Sequence, residues 1–243
     1  MAQNIYDQDD FFAAYGKLDR SLRGLQGAPE WPALRALVPD LQHKRVVDLG
    51  CGFGWFCRWA ADQGAAHVLG LDLSENMLAR AHASTSEPGI TYERADLEAF
   101  TLPESAFDVV YSSLTIHYLA NLEALFAKAH RALVEGGTFV FSVEHPLFTA
   151  PSEPSWLTDE GGRTVWPLDD YLAEGPRVTN WLAPGVVKQH HTIATYVNSL
   201  LRVGFALVHL EEWAPTDAQI EEHPDWAVER HRPPFMLVCA RRP

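Results

Sequence analysis

Three glycines, Gly50, Gly52 and Gly54, follow the run Val46-Val47-Asp48-Leu49 and could bring backbone close to a ligand. Glycine lacks the Cβ that would hold a ligand off, and a helix starting there would aim its N-terminus at the same point. Two carboxylates recur at matching places. Asp72, in GLDLS, stands where an acid can accept both hydroxyls of a ribose. Asp96, in ERADLEAF, could accept from the exocyclic amine of adenine. Imidazole ordinarily titrates near neutral pH, so His117 in LTIHYL and His145 in SVEHP are the candidates for moving a proton. The pair His190-His191, with Glu144 and His145, invites a metal. Adjacent side chains on a helix diverge by about 100°, so the pair cannot easily chelate one ion and no metal is expected.

These groups can meet only if the chain folds to bring them together. From Arg45 onward, short β-branched runs alternate with helical patterns, as in a parallel sheet with crossover helices. Strands are expected at 45–49, 67–71, 90–94, 107–111 and 138–143. Helices are expected at 55–63, after an N-cap at Ser74 with Met77 and Leu78 inward, and from Asn121 through Leu133 to a C-cap at Gly136-Gly137. A helix near 192–203 and strands at 206–211 and 235–240 complete the pattern. The segment 146–190 lacks a clear period. It carries Trp156, Trp166, Tyr171 and Trp181, which read as a pocket wall. The expected organisation is a single domain: an N-terminal helical cap (1–44), a ligand-binding core (45–145), an aromatic lid insertion (146–190) and a C-terminal helix and strand pair (191–243).

Composition narrows the partners. A net charge of −13 without a Lys/Arg cluster argues against nucleic acid or an anionic membrane. The three cysteines are odd in number and form no CxxC, and the acidic N-terminus lacks the form of a secretory signal, so a cytoplasmic setting is expected. No apolar run is long enough to span a bilayer.

The glycine spacing separates two ligands. Gly50-Cys51-Gly52-Phe53-Gly54 is GxGxG, and Trp55 occupies the place of the last glycine in the dinucleotide pattern GxGxxG. A tryptophan there obstructs the approach of helix and pyrophosphate, whereas the phosphate-free tail of S-adenosylmethionine asks less of the helix. The stretches VVDLGCGFGWF, GLDLSENML, RADLEAFTLPESAFDVVYSSLTIHYL and LVEGGTFVFSVEHP together resemble the class I S-adenosylmethionine-dependent methyltransferases, in the small-molecule type 11/12-like group. The resemblance covers about 45–146. It implies an α/β, Rossmann-like fold, with a seven-stranded, mostly parallel sheet whose last strand is antiparallel and helices on both faces.

The resemblance also implies roles by position. Asp48, Gly50, Cys51, Gly52 and Gly54 would line the methionine and ribose side. Leu73 would lie against the adenine, and Leu97 beside Asp96 would read its edge. Ser112 and Ser113 would meet the methionine ammonium, with His117 nearby. Tyr15 and Arg20, with Tyr6 on the same N-terminal segment, which closes over the ligand in enzymes of similar layout, are candidates for the lid and acceptor side. The implied reaction is in-line methyl transfer to a small organic acceptor, leaving S-adenosylhomocysteine. A non-catalytic S-adenosylmethionine-binding regulator and an NAD-dependent oxidoreductase are the alternatives, the latter lacking GxGxxG and YxxxK. The acceptor, the atom methylated and the oligomeric state stay open.

Overall fold

The computed structural model describes residues 3–243; the first two residues of the expected N-terminal cap lie outside the described residues. After a short 3-10 turn at Ile5–Asp7 come α1 (Asp9–Tyr15), α2 (Asp19–Leu22) and α3 (Trp31–Leu37). The alternating core follows as β1 (Arg45–Leu49), α4 (Trp55–Asp62), β2 (His67–Asp72), α5 (Glu75–Ala83), β3 (Ile90–Arg94) and β4 (Phe107–Ser113). Then come α6 (Leu122–Ala132), β5 (Leu133–Glu144) and α7 (Pro146–Thr149). The insertion holds β6 (Leu157–Thr158), β7 (Thr164–Val165), β8 (Gly175–Thr179) and β9 (Val186–His190). The chain closes with α8 (Ile193–Arg202), β10 (Ala206–Trp213), α9 (Asp217–Glu222), a 3-10 stretch at Pro224–His231 and β11 (Phe235–Arg241).

The main sheet has seven strands in the order β10-β11-β5-β4-β1-β2-β3. β11 runs antiparallel to both its neighbours, and β3, β2, β1, β4 and β5 are mutually parallel. This is the expected sheet. Alternation along the strands decides its two faces. Val47 and Val110 point to one core with Phe126 of α6 and Leu200 of α8. Val46 and Val109 point to the other with Trp31 of α3, Phe56 of α4 and Leu78 of α5. Each such side chain taken fully from water contributes about 1.5–3 kcal/mol, so both faces are firmly held.

Local chemistry sets the helix starts. The Ser74 hydroxyl accepts from the Met77 amide and the Asn121 side chain from the Ala124 amide, each satisfying a donor the helix itself leaves free. One expected helix end moves. α6 stops at Ala132, and Gly136 and Gly137 lie inside β5, at a shift of register between β4 and β5. The reason is a competing cap. The Arg242 guanidinium donates to the carbonyls of His130, Arg131 and Leu133, so the helix end needs no glycine. The insertion is also more regular than its sequence suggests, with two small antiparallel hairpins, β6-β7 and β8-β9. Arg177 stiffens it by donating to the carbonyls of Ala150, Asp170 and Ala173.

Gly54 caps α4 at φ +72°, and a Cβ there would drive into the Tyr92 hydroxyl. Left-handed backbone costs a non-glycine residue about 1–2 kcal/mol and overpacking about 1–3 kcal/mol. Gly54→Ala is therefore expected to lower stability by about 2–4 kcal/mol in urea unfolding, with Gly136→Ala, which meets only open space, costing less.

Candidate active site

The strand order reverses at β1, where β4 lies on one side and β2 on the other, and ligands of open α/β sheets settle beyond the strand ends at such a point. A cavity of about 460 Å³ opens there, within the ordinary range for small-molecule sites. Asp72, at the end of β2, ties its two sides together. Its Oδ2 accepts from the Gly52 amide and its Oδ1 from the Ser74 amide, both at 2.9 Å. Burial pushes its pKa up, while the Ser74 and Gly52 amides pull it back.

Several expected residues converge on this cavity: Gly50, Gly52, Asp72, Leu73, Asp96, Leu97 and Ser113, with His117, Tyr15, Arg20 and Trp181 toward its other end. Their free capacity fits an adenosine-like ligand. Gly52, at φ +52°, has nothing within 4 Å of the place a Cβ would take, so its backbone faces open space. Asp72 keeps lone pairs beyond its two amide bonds. Asp96 accepts the Glu98 amide through Oδ1 at 3.0 Å, and no described residue donates to its Oδ2. These free acceptors suit the hydroxyls of a ribose beside Asp72 and the amine edge of an adenine beside Asp96 and Leu97.

Other expected residues stand behind the wall. Asp48 is buried under the turn, where its Oδ2 accepts from Cys57 Sγ at 3.4 Å. Burial lifts the Asp48 carboxyl to about 8, with the Cys57 thiol lowering and Asp72 raising it. Cys51 spends its amide on the Leu71 carbonyl and its thiol is buried; Gly54 packs on Tyr92. Ser112 donates to the Leu49 carbonyl at 2.7 Å, fastening β4 to β1 rather than meeting a ligand.

His145 also lies outside the cavity lining. Fully buried, it caps α7: Nδ1 accepts from the Leu147 amide at 3.1 Å, and Nε2 donates to Glu212 Oε1 at 3.0 Å. Burial lowers its pKa to about 4, against the pull of Glu212. Both nitrogens are committed, so the ring is structural. His117 does line the cavity, with Nδ1 accepting from the Glu144 amide at 3.3 Å. Burial lowers its pKa to about 4 with Lys188 and Arg20 adding, so the ring is neutral and carries its hydrogen on Nε2. With Nδ1 accepting, the remaining nitrogen is a donor, which does not fit the role of base expected from sequence.

The aromatic insertion divides the same way. Trp181 lines the cavity, but Trp156, Trp166 and Tyr171 do not. Trp156, Trp166 and Phe148 surround the Arg232 guanidinium at 5.0, 4.2 and 4.4 Å from their ring centroids, and Arg232 pairs with Glu229 at 2.7 Å. Tyr171 stands against His190, and its hydroxyl accepts from the Ile193 amide at 3.3 Å. His190 ends β9 and His191 follows it, so the pair does not sit on a helix. His190 meets Thr149 and the Tyr171 carbonyl, and His191 meets the Leu119 carbonyl.

The N-terminal segment roofs the cavity. Asp7 accepts from the Ser74 hydroxyl at 2.5 Å and from the Asn76 amide at 3.1 Å, clipping the segment to the start of α5. Gln3 bonds the Gly185 carbonyl and the Val187 amide of the insertion. Tyr6 bonds Tyr118 at 3.2 Å, and Tyr15 packs on Phe53 and Trp181. Arg20 is fixed by both oxygens of the buried Glu30, each at 3.2 Å.

The sequence reading missed Tyr118, Lys188 and Phe235, and weighed Glu144 only as a metal ligand. Lys188 was detectable: in VVKQH it shares the buried phase of β9 with Val186 and His190, an unusual register for a lysine. Its Nζ meets Glu144 Oε1 at 2.5 Å and lies 5.0 Å from the Trp181 ring. Asn4 Oδ1 and Glu144 Oε2 are buried without a hydrogen-bond partner, although both residues line the cavity. Such an oxygen costs about 1–3 kcal/mol, so each invites an explanation.

A family described as a methyltransferase domain matches residues 47–141. The crystal structure of an S-adenosylmethionine-dependent methyltransferase from Mesorhizobium loti is 59% identical, covering 90% of this chain and 100% of its own, with a TM-score of 0.87. The chain belongs to the S-adenosylmethionine-dependent methyltransferases. A putative S-adenosylmethionine-dependent methyltransferase from Listeria monocytogenes is 40% identical over 89% of this chain and 99% of its own, with a TM-score of 0.81. An uncharacterised protein of Haemophilus influenzae is 35% identical over 98% of this chain and 97% of its own length. The match to a phosphoethanolamine N-methyltransferase of Triticum aestivum, 34% identical, spans 26% of that protein, and the match to a malonyl-[acyl-carrier protein] O-methyltransferase of Enterobacter lignolyticus, 36% identical, spans 43%. The fold is therefore the Rossmann-like methyltransferase fold, and the cofactor is S-adenosylmethionine.

Asp48 makes stability of the ligand-free methyltransferase depend on pH. Its native carboxyl titrates at about 8, against about 3.9 for an unfolded aspartate, so between those values the native state holds an extra proton. Stability from this group is full below about pH 4 and is lost as pH rises to about 8. Asp48→Asn, which keeps the shape without the titration, should flatten that slope in urea unfolding at pH 5, 6, 7 and 8.

Proposed function

We propose that this methyltransferase transfers its methyl group to a small organic acceptor held in the aromatic end of the cavity. The observation that carries this reading is the continuity of one cavity. Its Gly52, Asp72 and Asp96 end suits adenosine, and its Tyr6, Tyr118, Trp181 and Phe235 end is walled by rings. Ring faces suit an organic molecule of modest size. The net charge of −13 supports a small acceptor over nucleic acid, and the three unpaired cysteines support a reducing, cytoplasmic setting. Among the described residues, no helix is long and apolar enough to cross a membrane.

S-adenosylmethionine supplies an activated methyl on a sulfonium. The protein's own work is alignment and exclusion of water, with the reacting atoms held about 3–3.5 Å apart. Asp72 holds the ribose, and Asp96 with Leu97 reads the adenine. Gly50, Gly52 and Ser113 receive the methionine portion. Tyr15 and the Glu30-fixed Arg20 close the roof. His117 Nε2–H faces the acceptor as a donor. Burial and Tyr118 hold the Tyr6 phenol well above its ordinary range, so it also stays protonated.

Calorimetric titration with S-adenosylmethionine, S-adenosylhomocysteine and NAD tests the cofactor end. The first two should bind and NAD should not. Asp72→Ala and Asp96→Ala should each weaken binding by about tenfold or more. Wild-type affinity in both mutants would remove these residues from the site, and binding of NAD alone would overturn the whole reading.

A further inference from the structure

Glu144 closes β5 at the carboxyl edge of the sheet and lines the acceptor end of the cavity. Its two oxygens differ. Oε1 takes the Lys188 ammonium at 2.5 Å, while Oε2 is buried and has no hydrogen-bond partner. Burial alone would raise its pKa, but the His117 ring, once it gains its proton in the same acid range, and the charge and hydrogen bond of Lys188, with Arg232 adding, outweigh it and hold the carboxyl below its ordinary range. The orphaned oxygen therefore belongs to a carboxylate, an acceptor with no hydrogen to offer.

The groups around it define what can sit there. The two cations at this end are already matched, Lys188 by Glu144 and Arg20 by both oxygens of Glu30. Arg232, behind the wall, is matched by Glu229. Arg232 Nε is buried without a partner, but Arg232 is not part of the cavity lining. Among the described lining residues no cation is left over for an acceptor carboxylate, which would meet the unpaired Glu144 oxygen as a like charge. A group carrying its own hydrogen gains instead. It can donate to Glu144 Oε2 and accept from the neutral His117 ring, against the faces of Tyr118 and Trp181.

Resting on the methyltransferase reading above, we infer that Glu144 Oε2 binds the hydrogen of the acceptor atom that receives the methyl, so the acceptor is a hydroxyl or an amine and not a carboxylate. In the transfer, a lone pair of that oxygen or nitrogen forms the new bond to the methyl carbon. The carbon–sulfur bond breaks with its electron pair staying on sulfur, which becomes a neutral thioether. The hydrogen left on the methylated atom passes as a proton to Glu144 Oε2 and leaves to solvent with the product. Lys188 is a positioning residue, keeping Glu144 ionised and holding Oε1 so that Oε2 is the oxygen left for the acceptor.

The test uses the full chain loaded with S-adenosylhomocysteine and three probes of one shape, benzylamine, benzyl alcohol and benzoate, titrated by calorimetry. Benzylamine or benzyl alcohol should bind at least about tenfold tighter than benzoate, and the tighter of the two tells amine from hydroxyl. Glu144→Gln should abolish that preference while changing S-adenosylhomocysteine affinity by less than about threefold. Glu144→Asp, which keeps the charge beside Lys188 but withdraws the carboxylate, should do the same and serves if the amide variant does not fold. Benzoate binding as well as the others, no probe binding, or a preference unchanged in both variants would overturn the assignment. Failure of the wild type to bind S-adenosylhomocysteine would sink the methyltransferase reading itself, a separate result visible before any probe is added.

Discussion

The Asp72 carboxylate joins two loops that the sheet merely brings near each other. One oxygen holds the glycine turn after β1 through Gly52, and the other holds the start of α5 through Ser74. Both loops are thereby fixed at the point where strand order reverses, the place a parallel sheet leaves open. The roof depends on the same corner, because Asp7 reaches the Ser74 hydroxyl and the Asn76 amide. A single buried carboxylate thus sets where the cavity lies, how wide the turn stands, and where the N-terminal segment can dock.

The far end of the cavity is organised by paired charges rather than by apolar packing alone. Arg20 with Glu30 and Lys188 with Glu144 are each largely withdrawn from water. Such pairs add little net stability, since desolvation offsets most of their attraction. What they supply is direction. Each cation is bound to one carboxylate and laid beside rings, Arg20 near Phe235 and Lys188 near Trp181, so neither is free to wander into the cavity. The polar geometry seen by an acceptor is then set by the protein before anything binds.

Much of the cofactor half was legible in the sequence because it is local. Strand, glycine turn, strand and acid follow one another in a fixed order, and β1 and β3 have the expected bounds. The acceptor half was not, because it is assembled from distant pieces. Glu144 and Lys188 meet only when β9 folds over the end of β5, and Tyr6 meets Tyr118 across the whole core. Residue type also misled. His145 has the chemistry of a base, yet its two nitrogens are spent on a helix cap and Glu212. The helix expected to end at Gly136 ended earlier because its carbonyls are served by Arg242, a partner no local pattern reveals.

The cage around Arg232 has a consequence for descent. Trp156 and Trp166 come from the insertion, and Arg232 comes from the stretch leading into β11. Losing the arginine would leave the two tryptophans with each other, Phe148 and His231 but without the cation between them, and losing the tryptophans would leave a buried cation with Phe148 as its remaining ring. The two segments are therefore coupled through one cation. Grafting the insertion onto a cousin scaffold would carry its architecture across only if the arginine travelled with it.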